Sequence, residues 1–166
     1  MSSSSSYFIN RQTAEQAIRM SLPLIQEAMK QHEVGESGFL HLVVMDPVRT
    51  PARSSFEEAV LYEYSIGDRS QWDADYAEFA RAKARIAWRT GMDSHAIQEL
   101  RPHMLMEGDT LLWGSVAMNG IVVGVSGAHP WYDEAFAGIV AMCLRALAKA
   151  AATMAERKEN LFLSEK

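Results

Sequence analysis

The chain has one cysteine, Cys143, which excludes a disulfide within it. Its place in an apolar, alanine-rich run predicts a buried thiol rather than a nucleophile. No stretch approaches the roughly 20 unbroken apolar residues of a membrane span. Cations are in the minority, 16 Lys and Arg against 21 Asp and Glu, and a net charge of -5 argues against a nucleic-acid footprint. Arg81, Arg85 and Arg89 recur at helical spacing, but Asp73, Asp75 and Glu78 precede them, as on a solvated helix face. The opening "MSSSSSYFIN" lacks the basic segment and apolar core of a secretory signal. Phosphate-binding and dinucleotide fingerprints are missing too. These absences lead us to expect a cytoplasmic protein with neither nucleic-acid nor membrane partners.

What is present fits one domain, because 166 residues suffice to bury roughly two thirds of the unfolded surface. The expected organisation is a disordered leader over 1–7, a single domain over 8–156 and a tail over 157–166. Asn10 is a candidate cap for a helix whose apolar positions Ala14, Ala17, Ile18, Leu22, Ile25 and Met29 share one face, with Pro23 expected to kink or divide it. "FLHLVVMD" reads as a buried strand, "PVRTPARSS" as a surface loop, and "FEEAVLYEYSIG" as a second, antiparallel strand. Residues 72–90 turn helical up to Gly91, and 93–100 add a short helix limited by Pro102. A third strand over 111–118 is joined to a fourth by Asn119-Gly120, the pair that a two-residue type I′ hairpin favours. Gly124 and Gly127 in that fourth strand serve either close packing or the approach of a ligand to the backbone.

The last helix, over 131–156, carries Phe136, Val140, Cys143, Leu147, Ala150 and Met154 on one stripe, with a narrow polar strip through Glu134, Arg145, Lys149 and Glu156. A helix so apolar is expected to be covered on more than one side, by the sheet and by another subunit. Hairpins with flanking helices, and no internal repeat, give an α+β fold: an antiparallel sheet in a layered sandwich.

Several side chains are candidates for chemistry. Lys83 shares a helical face with Phe79 and Ile86, and two readings are open: a snorkelling stem with its head in water, or a partly desolvated cation held for a carboxylate. Ser126 and Gly127 stand just before a helix, where free N–H groups and the helix dipole favour an anion. Alternatively Gly127 only allows the turn, with Asp133 and Glu134 complementing the helix terminus. Being adjacent, those two acids diverge and cannot face one another as an acid/base pair. "GVSGA" is not a nucleophile elbow, so Ser126 is not read as catalytic. His41, His95, His103 and His129 match no zinc spacing. His129 stands beside Trp131 and Tyr132, aromatics suited to lining a pocket.

The run Gly124-Val125-Ser126-Gly127, a few variable residues, then Asp133-Glu134 and a small-residue-rich helix resembles the GlcG/HbpS-like family, also called the heme-degrading domain family and related to the C-terminal domain of PduO proteins. Ala80, Lys83 and Ala84 match the family's Ala-x-x-Lys-Ala helix, and the likeness spans about residues 8 to 155. The chain departs from the family pattern at "DPVRTPARSS" and "WGSVAM". The resemblance implies a profilin-like or PAS-like sandwich, a homo-oligomer, and an accessory role in small-molecule catabolism. Together with the readings of the residues above, it leads us to expect a ligand site at Lys83, Ser126, Gly127, His129, Trp131 and Tyr132 that takes an organic anion. It also offers heme as a cofactor, with His129 or another histidine, or a tyrosine such as Tyr132, as axial ligand. A purely structural oligomer is the third expectation.

Overall fold

The computed structural model describes residues 6–156 and 162–163, so most of the expected leader and tail lies outside the described residues. Asn10 caps α1 (Arg11–Ala28): its side chain accepts from the Thr13 N–H, while its own N–H donates to the Thr13 hydroxyl, which meets two of the donors a helix start leaves orphaned. Pro23 does not divide this helix, which runs for 18 residues. Ala14, Ala17, Ile18 and Ile25 are buried along its inner face.

Strand β1 (Leu40–Met45) is followed by a four-residue helix, α2 (Phe56–Ala59), and only then by β2 (Val60–Ile66). Ser55 and Glu58 cap α2 reciprocally, a local preference that overrides the alternation that predicts a strand from Phe56 onward. Helix α3 (Tyr76–Thr90) begins four residues later than expected because the Asp75 side chain caps it, accepting from the Glu78 N–H. Gly91 ends it at φ 69°, a left-handed conformation. After α4 (Ser94–Leu100) the third strand, β3, is confined to Ser115–Met118. Leu111 and Leu112 are exposed, and Gly114 at φ 146° breaks the extended chain before Ser115. Asn119 and Gly120 take φ of 50° and 87° and form the expected two-residue turn into β4 (Ile121–Ser126). Helix α5 (Pro130–Glu156) closes the domain.

The sheet order is β2-β1-β4-β3, antiparallel at every junction. Helices α1 and α5 pack on one face and α3 on the other, which makes the molecule an α+β layered sandwich. The central strands β1 and β4 are buried along their whole length, as their near-continuous apolar sequences require when both faces are covered. Leu42, Val44, Val123 and Val125 point to the α1/α5 side with Phe136, Val140 and Leu144. Each such burial is worth roughly 1.5–3 kcal/mol.

Gly124 lets α3 approach the sheet, for a Cβ there would stand 2.6 Å from the Ala80 carbonyl oxygen and 2.7 Å from Ala84 Cβ. Gly127, at φ 142°, lies against the start of β1, where a Cβ would come within 2.1 Å of the Phe39 carbonyl oxygen. Both glycines therefore serve close packing of the chain on itself.

The inner face of α5 is buried through the helix's first half, with Phe136 and Val140 almost fully covered, whereas Ala150 and Met154 of the same predicted stripe are exposed. Cys143 is half-buried. By length and composition α5 is a helix apolar enough to cross a membrane, and here its first half is the core helix against α1 and the sheet.

Candidate functional site

Lys83 turns its ammonium into the protein and is 2 % exposed. Nζ donates to Asp133 Oδ2 at 2.7 Å, to the Val125 carbonyl at 3.1 Å and to Ser126 Oγ at 3.2 Å. An ammonium has three N–H donors, so all three have partners within the chain. Asp133, 1 % exposed, accepts from the Ala128 N–H through its other oxygen at 2.9 Å. Lys83 does not snorkel to water, then. Its ammonium is spent on a carboxylate of the chain itself, Asp133, rather than on that of a ligand.

Burial is the larger influence on both partners. It raises the Asp133 carboxyl to about 6, against the opposing pull of Lys83 and of the Ala128 and Gly127 amides. It draws the Lys83 ammonium below the ordinary lysine range, against the opposing charge of Asp133. Gly114 seals the pair, since a Cβ there would stand 2.6 Å from Asp133 Cβ and 3.3 Å from Lys83 Nζ. Around it, Ser115 Oγ donates to the Lys83 carbonyl at 2.7 Å, while Ser94 Oγ accepts from the Gly114 and Ser115 N–H groups.

The open space lies beside this closed network. Gly35, Glu36 and Ser37, between α1 and β1, meet Asp73 and Tyr76 at the entry to α3 and Gly127, Ala128 and His129 at the β4–α5 junction, around a cleft of about 280 Å³. The His129 N–H donates to the Val34 carbonyl at 2.9 Å and so ties two of these three segments together. Tyr76 Oη donates to Asp73 Oδ1 at 2.6 Å, and burial together with that carboxylate pushes the phenol up. The His129 ring stacks on Trp131 with centroids 5.0 Å apart.

Of the six expected site residues, Gly127 and His129 line the cleft. Lys83 and Ser126 meet each other in the closed network behind it. Trp131 stands at the rim, more than half exposed, and Tyr132 leans toward Phe136 and the α1/α5 core. Sequence reasoning missed Asp133 as the partner of Lys83, and it missed Glu36, Ser37 and Asp73, which belong to loops without a motif, and Tyr76, the first residue of α3. The one usable signal was that Lys83 and Asp133 sit in the two segments that carry the family resemblance.

The organic-anion expectation loses its cation to Asp133, and the carboxylates of Glu36 and Asp73 in the cleft repel an anion further. Heme does not fit here either. The cleft falls just below the roughly 300–1,000 Å³ range of ligand sites, and its polar, acidic lining opposes both the ring and its propionates. Among the described residues no three His, Cys, Asp or Glu side chains gather as a metal-binding set. His95 stacks on Trp113 and lies 3.5 Å from Glu134, and His103 is exposed, both away from the cleft lining. No family model and no curated protein matches the chain.

Proposed function

We propose that this is a GlcG/HbpS-like accessory protein that binds a small, uncharged or cationic polar molecule in the cleft at the β4–α5 junction. The observation that carries the reading is the convergence of three distant chain segments on one open polar cleft, backed by a pair that neutralises itself. The lining offers two carboxylates, the Ser37 and Tyr76 hydroxyls and the His129 ring. Those groups suit hydroxyl and amine functions, and the self-neutralised Lys83 makes a carboxylate ligand the poorer match. The hydroxyls, carboxylates and imidazole of the lining support binding as the role.

Self-association accompanies this reading. The outer face of α5 and its second half expose Trp131, Met142 and Met154, and α1 exposes Met20 and Leu24. Apolar helix surface of this kind fits a contact between copies of the chain. Light scattering of the purified protein checks it, a dimer or larger species being expected.

Thermal-shift screening of small polyols, amines, hydroxy acids and hemin tests the ligand class. A saturable rise in Tm with a polyol or amine, lost in His129→Ala and weakened in Tyr76→Phe, is expected. Stabilisation by a hydroxy acid or hemin instead, unaffected by either substitution, rules the cleft assignment out.

A further inference from the structure

Helix α5 is more apolar than its place in one copy of the chain requires. The run Pro130–Ala155 is hydrophobic enough to span a membrane, yet only 28 % of its most apolar stretch is buried. At 3.6 residues per turn, Asp133, Phe136, Val140 and Leu144 fall on the covered side, and Trp131, Ala135, Gly138, Met142, Ala146 and Lys149 on the opposite one. Of these Trp131 is 56 % exposed and Met142 45 %. Gly138 stands in the middle of that outer face, where a Cβ would meet no described atom within 4 Å. Glycine weakens a helix interior, and nothing among the described residues asks for one here. The Ser21 hydroxyl lies 3.7 Å from Cys143 Sγ, which sets the exposed Met20 and Leu24 of α1 level with the middle of α5 and widens the same apolar surface.

This face is complementary to itself. Met142 projects and Gly138 leaves an open place one turn away, so a two-fold axis midway between them, perpendicular to the helix, seats the Met142 of each copy on the Gly138 of the other. That operation makes the two helices antiparallel. Glu134 and Arg145 are 11 positions apart, close to three full turns, and therefore share one edge of the face. They lie on either side of the axis at nearly equal distances, so the rotation brings the acid of one copy to the base of the other. Trp131 and Lys149 are each nine positions from the axis, which lays an ammonium of one copy over the indole of the other. Within the chain Glu134 has His95 at 3.5 Å, while among the described residues neither Arg145 nor Lys149 has a carboxylate partner. A parallel pairing would set like charges side by side instead.

We propose that a second copy of the chain packs antiparallel along the outer face of α5 and that its last helical turns complete the junction cleft. The inference rests on the self-association and the cleft assigned above. The last seven residues of α5, Ala150 to Glu156, form roughly 10 Å of helix, and Ala150, Ala151 and Met154 in it are exposed. In the antiparallel pair this overhang passes Trp131 and reaches the level of His129, whose ring stacks on Trp131 and lines the cleft. The exposed indole at the rim becomes part of a wall that both copies build, and the shallow cleft of one chain is deepened by the other.

Sedimentation of the full chain, with paramagnetic broadening between copies in NMR, tests the interface. ¹⁵N-labelled wild-type protein is mixed with unlabelled Cys143→Ala, Ala151→Cys protein that carries a nitroxide on the introduced thiol. Expected are a dimer and broadened His129, Trp131 and Tyr132 amides, with the amides around Ala151 left sharp. Gly138→Leu fills the seat of Met142 and should raise the dimer Kd at least ~10-fold, while circular dichroism shows a folded chain. Arg145→Glu should weaken the dimer as well, and adding Glu134→Arg should restore it, a rescue that only a charge pair across the interface allows. A dimer that Gly138→Leu leaves intact, or broadening centred on Ala151, overturns this interface and leaves self-association through another face standing. A monomer at every concentration overturns both, and if that monomer floats with phosphatidylcholine vesicles, lipid covers the face instead. The ligand class is read separately by the thermal-shift screen.

Discussion

Lys83 and Arg81 lie two residues apart on α3 and each holds a carboxylate, yet the two pairs titrate in opposite senses. Asp133 is raised to about 6, whereas Glu63 is lowered to about 2. The difference is solvent. The side chains of Lys83 and Asp133 are 2 % and 1 % exposed, so the loss of hydration outweighs the attraction between them. Arg81 and Glu63 are 32 % and 25 % exposed, and a two-pronged guanidinium grip at 2.7 Å outweighs a smaller desolvation cost. Helix α3 thus carries a closed pair that ties it to β4 and α5 and an open pair that stays charged beside a cleft.

Breaking the closed pair should have the largest effect. Asp133→Ala leaves a buried ammonium uncompensated and is expected to destabilise by about 3–5 kcal/mol in urea unfolding. The double substitution Lys83→Met with Asp133→Leu removes both charges and should recover most of that loss. Next comes the contact that holds α3 against both clusters. Gly124→Ala places a methyl 2.6 Å from the Ala80 carbonyl oxygen, and overpacking of this kind costs about 1–3 kcal/mol.

The two pairs should also separate by pH. A carboxyl raised to about 6 from 3.8 in the unfolded chain adds stability that is fully present below 3.8 and lost as pH rises through about 6. Between pH 7 and pH 5 the wild-type protein should therefore gain about 1 kcal/mol relative to Asp133→Asn. Glu63, lowered from 4.5 to about 2, contributes stability that is present above 4.5 and lost as pH falls through about 2. Relative to Glu63→Gln, the wild type should lose about 1–2 kcal/mol between pH 7 and pH 3. Urea midpoints at the three pH values read both slopes, and slopes of the same sign contradict the contrast. The smallest effect belongs to the exposed pair Lys30–Glu27, 71 % exposed on each side, where Glu27→Gln should change stability by less than about 0.5 kcal/mol.

The parts of the fold legible in the sequence are those set by local chemistry. Asn10, Asn119-Gly120 and Gly91 mark a cap, a turn and a stop because each meets a donor or a positive φ within a few residues. Phe56–Ala59 reads as strand because its apolar residues continue the alternation of β2, and the Ser55–Glu58 cap that makes it helical competes with that pattern at short range. The site is less legible because its partners are remote. Lys83 and Asp133 are 50 positions apart. Gly127 and His129 stand in a motif with a recognisable turn and helix start, whereas Asp73 and Tyr76 enter the cleft only through the path of the loop before α3.

The most direct measurement is a ¹⁵N-resolved NMR titration of the wild-type protein with the small polar compound that stabilises it most. Shifts should concentrate at Ser37, Tyr76, Gly127, Ala128 and His129, leave the Lys83 amide nearly still, and persist in the folded Lys83→Met, Asp133→Leu double variant. Binding that moves the Lys83 and Asp133 signals first and disappears in that double variant would make the closed pair the ligand site and contradict the assignment to the open cleft.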